Sequence, residues 1–285
     1  MKLNAFFERV IAGRWIAGPN LEDALKICAR LNRRGVSVIV NYLGEDVENK
    51  QIIASTVKTY KILIDEIKKR KLECQISIKL SQIGLTLSEE IARKNYSDII
   101  SYARNKHIFV WIDMEESYYV ENTINIYLSE VNKGNVGITL QSYLRRSSSD
   151  LKRLSKVNSI IRLVKGAYSG NERISFKNRS ETTKNYFKLI DLALKKLNKF
   201  TVATHDTNAI KYSIEKNLKY KKDVTYAMLN GIKNDFIFDL AAKGYKTSIY
   251  VPFGERWIAY SLRRIKEPMS ARLITRSLFR RKNIT

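Results

Sequence analysis

The chain has 285 residues, 44% of them apolar, and carries 52 Lys and Arg against 28 Asp and Glu, a formal net charge of +24. The apolar share is ample for a core, which excludes disorder as the default, and the length suits one α/β-barrel-sized domain. Two cysteines, Cys28 and Cys74, exclude a disulfide framework and a zinc-type ligand set.

Residues 1–18 are interrupted by Glu8, Arg9 and Arg14 and lack a signal-peptide core. No uncharged apolar run reaches the ~18 residues of a membrane span. The expected location is therefore cytoplasmic. A balance this basic favours polyanions, but it is spread along the chain without a zinc-finger or RNA-binding fingerprint. The partner expected from charge is an anionic membrane surface, with the protein peripheral on the inner face of the cell membrane, rather than a specific nucleic acid.

Residues 3–33 read as two helices, the second opened by Pro19-Asn20. A rhythm of β-runs follows at 36–42, 75–80, 108–113, 136–141, 159–165, 200–205, 223–229 and 246–251. Helical stretches lie at 46–71, 88–104, 117–132, 147–156, 179–198, 208–218, 232–243 and 255–267. Eight strands alternating with eight helices predict a (βα)8 TIM-type barrel with extra N-terminal helices. A doubly wound open sheet is the alternative, and no GxGxxG turn supports it. The segments are N-terminal helices over 1–35, a barrel over 36–267, and a basic amphipathic tail over 268–285. That tail is either a last packed helix or an interfacial anchor.

Reactive groups of such barrels gather at the C-terminal ends of the strands. Here those ends are consistently polar: Lys79, Asp113, Gln141, Arg162 with Lys165, Thr204-His205, and Tyr250. No second His or Cys accompanies His205 at ligand spacing, so no metal is expected. After Tyr250, the stretch 251–267 reads as a Pro/Gly turn and a helix. On it Tyr260, Arg263, Arg264 and Glu267 share one face at i, i+3, i+4 and i+7. Paired guanidiniums suit a small carboxylate, because each fork donates two parallel hydrogen bonds. A solvated Arg/Glu face is the bland alternative.

Six strings, ISIKLSQIGL, FVWIDMEES, GITLQSYL, IRLVKGAY, VATHD and YVPFGERWIAYSLRRIKEP, resemble in order the motifs of proline dehydrogenase, an FAD-dependent family. The resemblance spans roughly residues 75–267. It implies a barrel whose final helix lies over the strand C-terminal ends. It also implies oxidation of L-proline to Δ1-pyrroline-5-carboxylate, the first step of proline catabolism, by hydride transfer to flavin N5 with a quinone as acceptor. Carried over residue by residue, Arg263 and Arg264 would hold the substrate carboxylate, supported by Lys79. Asp113 would pair with a cationic neighbour, Glu267 would fix the arginines, and Tyr250, Tyr260 and Leu229 would wall the ring. FAD would contact Gln141, Arg162, Lys165, Tyr168, Thr204 and His205. One departure stands out: Ser169-Gly170-Asn171 intervenes before Glu172, where many members have an aromatic or acidic residue. The rival functions are a barrel enzyme acting on another small carboxylate and a basic RNA- or lipid-binding scaffold.

Overall fold

A computed structural model of the protein describes residues 15–166 and 171–256. Helix α1 (Leu21–Asn32) leads into β1 (Ser37–Tyr42), α2 (Lys50–Lys69), β2 (Cys74–Ile78), α3 (Glu89–Asn105), β3 (Val110–Ile112), α4 (Val120–Leu128) and β4 (Val136–Gln141). The chain continues through α5 (Ser147–Ser155), β5 (Ile160–Val164), α6 (Arg179–Lys196), β6 (Lys199–Ala203), α7 (Thr207–Tyr220), β7 (Asp223–Leu229), α8 (Asn234–Ala242) and β8 (Thr247–Phe253). Every strand pairs in parallel with its sequence neighbour, and β8 returns to β1, from Ser37 against Ser248 to Tyr42 against Phe253. The result is the closed eight-stranded barrel expected of the alternating pattern.

Helix starts follow from capping chemistry. The side chains of Asn49, Ser88, Asn178 and Asp206 accept backbone N–H groups of the first turns of α2, α3, α6 and α7, satisfying donors that have no partner within the helix. Amphipathicity then turns one face of each helix to the barrel. The period of two in the strands decides what that face meets. Alternate strand residues such as Val38, Val40, Ile76, Ile78, Ile138 and Leu163 join the helices in one buried core. Each fully buried aliphatic side chain there contributes about 1.5–3 kcal/mol.

The other alternate set points into the barrel and is largely polar. Ser77 is level with Trp111, and Thr139, Arg162, Thr201 and Thr225 follow one another across the ladder. This polar interior positions the site.

The structure differs from the sequence expectation in two elements. The run 108–113 yields a strand of only three residues, because His107 takes a left-handed backbone (φ 61°) and the ladder begins at Val110. The stretch 117–132 divides into a tight 3-10 turn at Ser117–Tyr119, the helix α4, and a second 3-10 turn at Val131–Lys133. The second turn is pinned by Glu130, which accepts Ser97 Oγ and Lys133 Nζ, each at 2.9 Å. Among the described residues no helix is long and apolar enough to cross a membrane. The expected first N-terminal helix, the final helix from residue 257 onward and the tail lie outside the described residues.

Candidate active site

Arg162, the third residue of β5, sits inside the barrel rather than at the strand end and is 3% exposed. Its guanidinium donates from Nε to Thr139 Oγ1 (3.0 Å) and from Nη2 to Ser77 Oγ (3.0 Å), and it is ion-paired with Asp113 Oδ1. Asp113 also accepts the Ser77 hydroxyl on Oδ1 (2.8 Å) and the Tyr250 phenol on Oδ2 (2.6 Å). The Arg162 carbon lies 4.9 Å from the Trp111 ring centre and 5.5 Å from that of Tyr250, a cation–π geometry strengthened by burial of the guanidinium. β2, β3, β4, β5 and β8 thus converge on one guanidinium–carboxylate pair.

Burial alone would raise the Asp113 carboxyl. The Arg162 and Lys79 charges and the Tyr250 and Ser77 hydrogen bonds outweigh it, and Asp113 is held below the ordinary aspartate range. Glu115, just beyond it, goes the other way. Burial raises its carboxyl, opposed but not overcome by Lys79 and by Ser81, whose backbone N–H (3.0 Å) and hydroxyl both donate to it. Lys79 follows β2, is 7% exposed, and stands 3.7 Å from Glu45.

On the other side of the mouth Gln141 ends β4, its Nε2 donating to the Met114 carbonyl at 3.0 Å. Lys165 donates to Asp206 Oδ2 (2.7 Å) and Thr183 Oγ1 (3.0 Å). Asp206 therefore both caps α7 and anchors the lysine. Although burial raises its carboxyl, Lys165 holds it below the ordinary range. Thr204 is buried directly after β6, and the His205 carbonyl accepts Lys233 Nζ at 2.8 Å. Leu229, at the end of β7, is level with Tyr250. Gly166, at the exit of β5, has φ 97°, and an added Cβ would lie 2.3 Å from Tyr143 Cδ1 and 3.3 Å from Gln141 Cβ, so only glycine passes there.

The sequence profile of proline dehydrogenase matches residues 24–276. The chain belongs to the proline dehydrogenase family. Proline dehydrogenase 1 of Bacillus subtilis subsp. natto is 34% identical over 284 residues, 97% of this chain and 93% of that one. Proline dehydrogenase of Deinococcus radiodurans is 31% identical over 280 residues, 95% of this chain and 90% of that one. Among solved structures, proline utilization A from Bdellovibrio bacteriovorus superposes with a TM-score of 0.85 at 21% identity, covering 94% of this chain and 34% of that chain. The corresponding protein of Corynebacterium freiburgense gives 0.79 at 20% identity, with 96% and 33% covered. The chain spans about a third of the length of these two structures, which share its fold.

Within this proline dehydrogenase barrel, Lys79, Asp113, Arg162, Leu229 and Tyr250 belong to β2, β3, β5, β7 and β8 or the residues just after them, and Gln141, Lys165, Thr204 and His205 lie at the ends of β4 to β6. Tyr168, Tyr260, Arg263, Arg264 and Glu267 lie outside the described residues. Ser77 and Thr139, which complete the Arg162–Asp113 network, were not singled out by sequence reasoning. A signal existed: each lies two residues before a candidate, Lys79 and Gln141, and so on the same face of its strand. Glu45 gave no such signal, because it acts from a loop.

Proposed function

We propose that this protein oxidises L-proline to Δ1-pyrroline-5-carboxylate, removing two electrons and two protons in the first step of proline catabolism, with FAD as its cofactor. The observation that carries the reading is the buried Arg162–Asp113–Tyr250 network at the throat of a barrel of this family. A buried charge pair held by Ser77 and Thr139 is costly to build, and it places fixed charge where a reaction would occur.

The residues present fit the cofactor. Among the described residues, Gln141 Oε1 and Arg162 Nη1 are buried without a hydrogen-bond partner, an acceptor and a donor complementary to a planar ring carrying imide N–H and carbonyl groups. Gln141, Arg162, Lys165, Thr204 and His205, together with Tyr168, would hold it. When bound, FAD supplies the two-electron acceptor, taking hydride at N5. Arg263 and Arg264 bind the substrate carboxylate through paired donors, Glu267 fixes them, and Lys79 adds positive charge. Tyr250, Tyr260 and Leu229 enclose the ring, and orientation of this kind lowers the barrier by removing translational and rotational freedom in advance. The amine reacts unprotonated, so turnover rises with pH in the alkaline range.

The reading extends to the surroundings. Residues 36–267 form the catalytic unit, flanked by an N-terminal segment over 1–35 that carries α1 and the basic stretch over 268–285. A membrane quinone takes the electrons from a protein resting on the inner membrane face, and the net charge of +24 supports contact with anionic lipid. The direct test is turnover of L-proline by FAD-replete protein with an artificial electron acceptor, the product weighed by mass spectrometry. A product two hydrogens lighter than proline supports the reading; no turnover with the cofactor bound rejects the substrate.

A further inference from the structure

The opposite, N-terminal end of the barrel holds a second cavity, of about 460 Å³, within the range of small-molecule sites. Its floor is aromatic. The Trp111 and Phe109 rings lie 5.0 Å apart at 58°, and they fit because β4 carries Gly137 beneath them: a Cβ there would stand 2.5 Å from Trp111 Cζ3. The walls are rich in donors, with the hydroxyls of Thr201 and Thr225 and the Lys199 ammonium. Gln75 Oε1 is already engaged by Trp111 Nε1 at 2.6 Å, which leaves its amide nitrogen as a further donor. Glu73 is the single carboxylate of the lining.

Thr201 and Thr225 stand level with each other on β6 and β7, and Thr201 is level with Arg162, so both hydroxyls belong to the inward face that carries Trp111. A hydroxyl held inside the barrel favours an oxygen partner.

We infer that this basal cavity is a binding site for a small aromatic or heteroaromatic molecule bearing an oxyanion, carboxylate or phosphate. The oxyanion is held by Lys199 and the threonine hydroxyls, and the ring rests against Trp111 and Phe109. The site is independent of the mouth chemistry proposed above: its residues lie at the N-terminal ends of the strands. Trp111 is shared, since Arg162 lies over its ring.

The test uses the full-length, FAD-replete protein, with benzoate and inorganic phosphate as probes. Binding is followed by calorimetry, and by fluorescence in a Trp15→Phe/Trp257→Phe background in which Trp111 is the sole indole. Saturable binding is expected for benzoate. Lys199→Ala should weaken it about tenfold or more, and Thr201→Val about threefold to tenfold, without lowering the unfolding midpoint. Benzoate binding well ahead of phosphate supports the aromatic class; phosphate binding equally well would overturn the aromatic part and leave a bare oxyanion site. Absence of saturation by both probes overturns the site. So does binding that both variants leave unchanged, which would place the ligand at the mouth.

Discussion

The two ends of this barrel are both polar, but in different ways. At the mouth the charges are buried and locked: Arg162 and Asp113 have side chains 4% and 12% exposed and are surrounded by Ser77, Thr139 and Tyr250. At the base the charges stay wet. Lys246 and Asp223 pair at 2.8 Å with side chains 65% and 32% exposed, and the buried groups there are neutral hydroxyls. A charge pair kept out of water must be held by every neighbour, because its desolvation is repaid only when geometry and hydrogen bonds are complete. The contrast teaches that charge alone does not mark a site in a chain of net charge +24; a buried ion pair held by hydrogen bonds does.

The largest break in that contrast comes from Arg162→Met. It leaves Asp113 buried with the Ser77 and Tyr250 hydroxyls and only the Lys79 charge to oppose its own, and should cost about 3–5 kcal/mol in urea unfolding. Adding Asp113→Leu should restore most of the loss. A single-variant cost below ~1 kcal/mol would mean the pair is solvated. Next is Gly137→Ala, which drives a methyl into the Trp111 ring and should cost about 1–3 kcal/mol.

Tyr250→Phe removes a phenol donated to a carboxylate and should cost about 1–2 kcal/mol. Tyr250→Ser should in addition admit hydroxyproline as a substrate, measured as the ratio of kcat/KM values; an unchanged ratio removes Tyr250 from the substrate wall. Smallest is Lys246→Ala at the base, expected at about 0.2–1 kcal/mol and reduced further by salt.

A pH series separates the two buried carboxylates. Asp113 is depressed in the folded state, so its contribution is present above the unfolded aspartate value of about 3.9 and is lost as pH falls through the lower folded value. Glu115 is raised. Its contribution is present below the unfolded value of about 4.3 and is lost as pH rises toward the folded one. Glu115→Gln should therefore compare more favourably with the parent at neutral pH than at pH 4, and a constant difference would show that Glu115 titrates alike in both states.

The fold was legible because its signal is periodic. β-runs separated by amphipathic helices gave the number of strands and the order of the described elements, and β4 and β7 carry the residues the sequence assigned to them. The shortened β3 was not legible, since its limit is set by a left-handed His107, a conformation that apolar content does not report. At the site, the strand-end residues Lys79, Asp113 and Gln141 could be read from position. Arg162 could be read as polar within a strand but not as the hub of the interior, since that depends on which strands face it across the barrel. In the sequence Glu115 is one of two glutamates that follow Asp113 closely, with Glu116. Its burial, and its Ser81 partners, are set by a loop contact between residues 34 apart in the chain, which no local pattern encodes.

Whether the buried Arg162–Asp113–Tyr250 network serves FAD-dependent oxidation of L-proline is decided by an absorption spectrum of the purified protein before and after anaerobic addition of L-proline. A flavin band that bleaches on addition is the predicted result. A bound flavin indifferent to proline, or a colourless protein that cannot be reconstituted with FAD, would contradict it.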